Sequence, residues 1–195
     1  MSLVGLILML VNSISNGSAG YIISALIFGI SLILLYTAST TYHLAYVSSK
    51  VKKILRRIDH MMIYVLIAGT YTPICLIALK GVWGVSLLTS IWILAIIGMI
   101  LKLVWFNAPR WLYTAFYIAM GWLVIIAFYP LAQAVETKGL LWLIIGGITY
   151  SIGGIIYGLK RPKLNNNWFS FHEIFHIFVL IGSFCHFWFI YNFIM

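Results

Sequence analysis

Long apolar runs separated by short polar segments are the dominant pattern along this chain. Six runs are long enough to cross a bilayer as helices, since a span needs about 20 residues for a hydrocarbon core of about 30 Å. A seventh run, Met1 to Val11, would rise only about 16 Å as a helix. The six longer runs are Tyr21 to Tyr46, Ile58 to Leu79, Val82 to Phe106, Trp111 to Leu131, Gly139 to Leu159 and Phe171 to Ile194.

These runs predict an all-α polytopic membrane protein, a seven-transmembrane helix bundle whose first span is short or truncated. Six spans are the alternative count. Composition agrees, because 64% of the residues are hydrophobic and only 8% are charged. A water-soluble domain of this size cannot hide so much apolar surface. We therefore expect a single transmembrane helical domain over residues 1–195, embedded in the lipid bilayer of the cell membrane.

The basic residues predict the orientation of the chain. Each span reverses direction, so one side of the membrane receives ten Lys and Arg residues and the other receives only Lys80 and Lys138. By the positive-inside rule the richer side is cytoplasmic, which places the N-terminus inside and the C-terminus outside. The net charge of +9 does not indicate nucleic-acid binding, because the cations lie in short connections between apolar runs. The ten are Lys50, Lys52, Lys53, Arg56, Arg57, Lys102, Arg110, Lys160, Arg161 and Lys163.

Ionisable residues at the ends of apolar runs are the candidate functional groups, because a charge inside a span is costly. His172 and His176 are four residues apart and share one face of a helix. The alternation of spans puts His43 and Asp59 at the same cytoplasmic depth. Three neutral imidazoles with one position left for water suit catalytic zinc. The sequence thus predicts a zinc site formed by His43, His172 and His176, near the cytoplasmic side.

Asp59 and Ser39 are the candidate catalytic residues. Ser39 precedes His43 by one helical turn, where it can hydrogen-bond a ligand, a bound water or a substrate carbonyl. Asp59 is expected to orient the water and take its proton, while zinc lowers the pKa of that water and polarises the scissile carbonyl. His60 is an alternative ligand, but it lies about 100° around the helix from Asp59, so only one of them faces the site squarely.

The segment from His172 to His176 also spells HExxH, a zinc-protease motif in which the Glu is the general base. Such proteases need a third ligand, yet no Asp or Glu follows Glu173 and Gly182 stands where a metzincin has its third His. An intramembrane peptidase is therefore the less favoured interpretation.

Several stretches in combination resemble the bacterial hemolysin III family, which is related to the progestin and adiponectin receptors and to the alkaline ceramidases. The resemblance covers almost everything after about Tyr21, although the chain opens inside what is a full first span in that family. The stretches are Ala38 to His43, Arg57 to His60, Ile63 to Pro73, Met120 to Leu123, His172 to His176 and Ser183 to Phe187.

The resemblance implies a seven-helix membrane protein with zinc near the cytoplasmic side. The family's SxxxH element falls on Ser39 and His43, its Asp on Asp59, and its HxxxH on His172 and His176. In the receptor and ceramidase relatives these histidines bind zinc, the Asp holds the water, and lipid amides such as ceramide are hydrolysed. A zinc-dependent hydrolase of a membrane-lipid amide or ester is thus implied. The alternatives are a cytolytic, pore-forming hemolysin and a receptor-like protein with structural zinc.

Overall fold

Seven helices joined by short connections make up nearly all of the computed structural model, which describes residues 2–15, 17, 19–105, 108–162 and 170–195. No strand occurs among these residues. Met1, Phe106 and Lys163, which the predictions above include, lie outside them. The helices are α1 (Ser2–Ser15), α2 (Ala19–Leu44), α3 (Ser49–Ala78), α4 (Val82–Val104), α5 (Arg110–Ala134), α6 (Thr137–Leu159) and α7 (Phe171–Ile194).

Helices α2 to α7 are each long and apolar enough to cross a membrane, whereas α1 is a shorter apolar helix. Their outward-facing side chains are apolar as well, as a lipid environment requires. On α4, for example, Ile93, Ile97 and Ile100 are 51%, 42% and 53% exposed. The chain is therefore a multi-pass membrane protein, and the six long runs predicted from the sequence are confirmed as helices.

Two of the long helices change their winding near a proline. Helix α3 continues through Pro73 and ends in a π-helical turn, Ile74–Ala78. Helix α5 has a 3₁₀ stretch, Trp122–Ala127, before it resumes at Phe128–Ala134, which contains Pro130. Because proline lacks an N–H group, the backbone near it loses a regular helical hydrogen bond and readily changes its pitch.

The chain divides into two compact units, and each is described by itself. The first comprises Met1–Phe106 with Met195. In it, α2 packs antiparallel to α3 and α3 packs antiparallel to α4. Small residues permit the close approach, since a Cβ atom on Gly69 would collide with Ser31 and one on Gly98 would collide with the Tyr64 ring.

The second unit comprises Asn107–Ile194. Its main feature is the antiparallel pair of α6 and α7. A Cβ atom on Gly153 would stand 2.7 Å from Phe178 Cβ, and one on Gly146 would stand 2.9 Å from His186 Nε2. These glycines set the register in which α6 supports the first turns of α7.

Candidate metal centre

The first two turns of α7 carry two of the predicted ligands, and the helix start is closed by a capping box. The Ser170 hydroxyl accepts a hydrogen bond from the backbone N–H of His172, at 3.2 Å. The Glu173 carboxylate in turn accepts from the Ser170 backbone N–H at 2.8 Å and from the Ser170 hydroxyl. Together these bonds satisfy N–H groups that a helix start leaves without partners. Glu173 is thereby committed to the helix start, and its side chain is exposed.

His172 and His176 point their ring nitrogens at one another from successive turns of α7. Their Nε2 atoms are 3.2 Å apart. Two ligands of a tetrahedral zinc ion, with Zn–N bonds of about 2.0–2.1 Å, lie about 3.3 Å apart. The spacing of the two nitrogens therefore fits a shared zinc ion.

Aromatic packing holds the His172 ring in place. Its centroid lies 5.8 Å from that of Tyr157 on α6 and 6.2 Å from that of Phe175. Tyr157 is itself covered by Arg110, whose guanidinium carbon is 5.5 Å from the ring centroid. Helices α5 and α6 thus support the ligand-bearing turn of α7.

The first unit brings Ser39, His43 and Asp59 together where α2 and α3 join. The antiparallel pairing that sets Gly69 against Ser31 continues towards the connecting loop, where Asp59 meets the end of α2. There the Ser39 hydroxyl is placed to donate a hydrogen bond to the Asp59 carboxylate, and His43 lies within electrostatic reach of that carboxylate. The predicted role of Ser39, which was to bond a ligand, a bound water or a substrate carbonyl, stays a prediction.

His60, the alternative ligand, is engaged elsewhere. Its Nδ1 atom is 2.6 Å from the backbone carbonyl oxygen of Arg56, to which it donates in the corresponding tautomer. The same atom is 3.9 Å from an Asp59 carboxylate oxygen. The ring is buried, so His60 serves as a packed neighbour of Asp59.

The three predicted ligands form a possible metal-binding group. One ligand nitrogen from each of His43, His172 and His176 lies within 4.8 Å of the other two. His43 is exposed, while His172 and His176 are half-buried. Three neutral imidazoles are the protein ligands of catalytic zinc in carbonic anhydrase, so the donor set suits that metal. Asp59 stands outside this group.

Lys102 is a charged residue whose burial was not predicted from the sequence. It was counted with the cations of the cytoplasmic side and lay inside the predicted span, and in the structure it lies within α4 and is only 3% exposed. Its spacing carries a signal, because Ile91, Ala95, Gly98 and Lys102 recur every three or four residues and all are buried.

Comparison with known proteins places the chain in a family of haemolysin-III-related proteins. The family model described as "Haemolysin-III related" matches residues 1–187. The chain is 43% identical over 183 residues to the "Hemolysin-3 homolog" of Bacillus subtilis, covering 94% of this chain and 83% of that protein. It is 39% identical over 183 residues to "Hemolysin-3" of Bacillus cereus, covering 94% and 80%. A more distant relative is the human "Monocyte to macrophage differentiation factor", 27% identical over 179 residues, covering 88% and 71%.

Proposed function

Since the chain belongs to the haemolysin-III-related family, we propose that it is a zinc-dependent membrane hydrolase that cleaves an amide or ester bond of a membrane lipid. The observation that carries the proposal is the group of three imidazoles, whose ligand nitrogens lie within 4.8 Å of one another. A ligand set of three histidines leaves one position open for water, as hydrolytic zinc sites require.

In this proposal His43, His172 and His176 hold zinc, which when bound lowers the pKa of water and polarises the scissile carbonyl. Asp59 is the general base that orients the attacking water and accepts its proton. Ser39 holds the Asp59 carboxylate through the hydrogen bond between them. A carboxylate fixed in this way loses little freedom when the substrate arrives.

We place the site at the cytoplasmic side of the cell membrane, in a seven-span chain with its N-terminus inside and its C-terminus outside. The strong bias of Lys and Arg towards one set of connections supports this orientation. A lipid substrate would then enter from the cytoplasmic leaflet.

Metal analysis of the purified protein, with His43→Ala and Asp59→Asn beside the wild type, tests the proposal. We expect about one zinc per wild-type chain, loss of that zinc in His43→Ala, and retention of it in Asp59→Asn. Lipid extracts incubated with each protein should show a cleaved amide or ester with the wild type only. Asp59→Asn should turn over about 10²- to 10⁴-fold more slowly, which is the usual contribution of a general base.

Two other results would redirect the assignment. A protein that needs His43 for folding but tolerates Asp59→Asn in every assay holds zinc for structure. Lysis of erythrocytes that persists in both variants would favour the second candidate function, cytolysis, which the name of the Bacillus cereus relative supports.

A further inference from the structure

Lys102 is buried where a lysine is normally solvated. It lies two residues before the end of α4, a position from which a lysine side chain usually extends its ammonium group to the aqueous interface. Here the residue is 3% exposed. A buried charge is costly unless an opposite charge or several hydrogen bonds compensate for it.

The register of α3 and α4 shows what Lys102 faces. The Trp92 indole N–H donates a hydrogen bond of 3.3 Å to the Thr72 hydroxyl. Two turns further along α4, Gly98 lies against the Tyr64 ring. These two contacts belong to one antiparallel pairing, in which the residue number rises on α4 as it falls on α3.

Continuing that pairing by one turn brings Lys102 opposite His60 and beside Asp59. Asp59 is the one acidic residue among residues 1–135 of the sequence. Arg56 and Lys102 both lie within electrostatic reach of the Asp59 carboxylate, and the effect of Arg56 is the larger. Burial and register therefore bring Lys102 to the turn of α3 that carries this carboxylate, next to His60.

We propose that Lys102 is a positioning residue, whose ammonium group pairs with the Asp59 carboxylate and holds it in the orientation that the site uses. Ser39 then secures the carboxylate from α2 and Lys102 secures it from α4. The effect on the metal site rests on the proposed function, whereas the pairing itself does not.

A double-mutant cycle tests the pairing. Lys102→Met keeps most of the buried stem and removes the charge, Asp59→Asn removes the opposite charge, and Lys102→Arg is the matched control that keeps the cation. Removing one partner of a buried pair is strongly destabilising, while removing both is often tolerated. We expect each single neutral variant to lower the Tm of the solubilised protein and the double variant to regain at least half of that loss. Additive losses would overturn the pairing.

Cobalt absorption separates positioning from mere packing. Protein loaded with Co²⁺ reports ligand geometry through its visible spectrum, without any need for turnover. Lys102→Met and Asp59→Asn should change that spectrum alike, the double variant should change it no further, and Lys102→Arg should match the wild type. A wild-type spectrum in Lys102→Met, together with a changed one in Asp59→Asn, would overturn the positioning role. If neither variant changes the spectrum, Asp59 does not influence the metal site and the positioning role is overturned. The double-mutant cycle then tests only whether Lys102 and Asp59 form an ion pair.

Discussion

Glu173 lies between two metal ligands in sequence but serves the helix start in the structure. Its carboxylate accepts hydrogen bonds from the Ser170 backbone and hydroxyl, and its side chain is exposed. A general base must reach the water that it deprotonates. The capping role therefore argues against the zinc-protease interpretation of the HExxH letters.

We predict that Glu173→Gln leaves zinc content and lipid hydrolysis unchanged, because glutamine can also complete a capping box. Ser170→Ala is the informative partner variant, since losing an N-cap side chain costs about 1 kcal/mol of stability. Thermal unfolding and metal analysis of both variants check this. Lipid hydrolysis that disappears in Glu173→Gln, with zinc still bound, would show that Glu173 and not Asp59 is the general base.

At the scale of the residue, the grouping of the three histidines was predictable and the residues packed around them were not. The spacing of His172 and His176 and the alternation of the spans were sufficient to select the three histidines. The burial of Lys102 was not predicted, because a lysine near a span end usually extends to the aqueous interface. The Ser39 partner depends on the register of α2 against α3, which hydropathy does not encode.

The pairing of α6 and α7 sets the position of the ligand-bearing turn. Gly153 is buried against Phe178, which lies half a turn beyond His176 on α7. The neighbouring Gly147 lies in a looser part of the same helix, where a Cβ atom would come no nearer than 3.8 Å to Trp122. The two glycines thus offer a matched comparison.

Gly153→Ala should lower the Tm and weaken zinc binding, whereas Gly147→Ala should do neither. The added methyl group at residue 153 would stand 2.7 Å from Phe178 Cβ, so α7 must move, and overpacking of this kind costs about 1–3 kcal/mol. At residue 147 alanine fits and favours the helix by up to about 1 kcal/mol. Unfolding curves and zinc titration measure both effects. Equal behaviour of the two variants would show that α6 does not position the ligands.

The presence of each long helix could be predicted from the sequence, whereas the residues at which the helices begin and end were predicted less accurately. The third span was predicted to begin at Ile58, whereas α3 begins at Ser49. The prediction started late because the first turns of α3 are rich in Lys and Arg and so do not form part of an apolar run. The charged turns extend the helix beyond the apolar run. They lead directly into Asp59, which already lay inside the predicted run.

On the scale of the whole molecule, the orientation in the membrane decides which leaflet supplies a substrate. If each of the candidate spans α2 to α7 crosses the membrane, the connections that follow α2, α4 and α6 share one side, and those that follow α3 and α5 share the other. This assignment of α2 to α7 is the same whether or not the short α1 crosses the membrane. Only the location of the N-terminus depends on α1.

Single-cysteine labelling in intact cells tests that orientation. Cys75 and Cys185 are buried, so the unaltered chain provides a low background. A membrane-impermeant maleimide should label Lys80→Cys and Lys138→Cys from outside, and should label Lys53→Cys and Lys160→Cys only after the cells are permeabilised, because all four positions are exposed. The opposite pattern would move the histidine group to the outer leaflet and exclude a cytoplasmic-leaflet substrate. A tag before α1 completes the experiment: protection of the tag in intact cells means seven spans, and labelling of it means six.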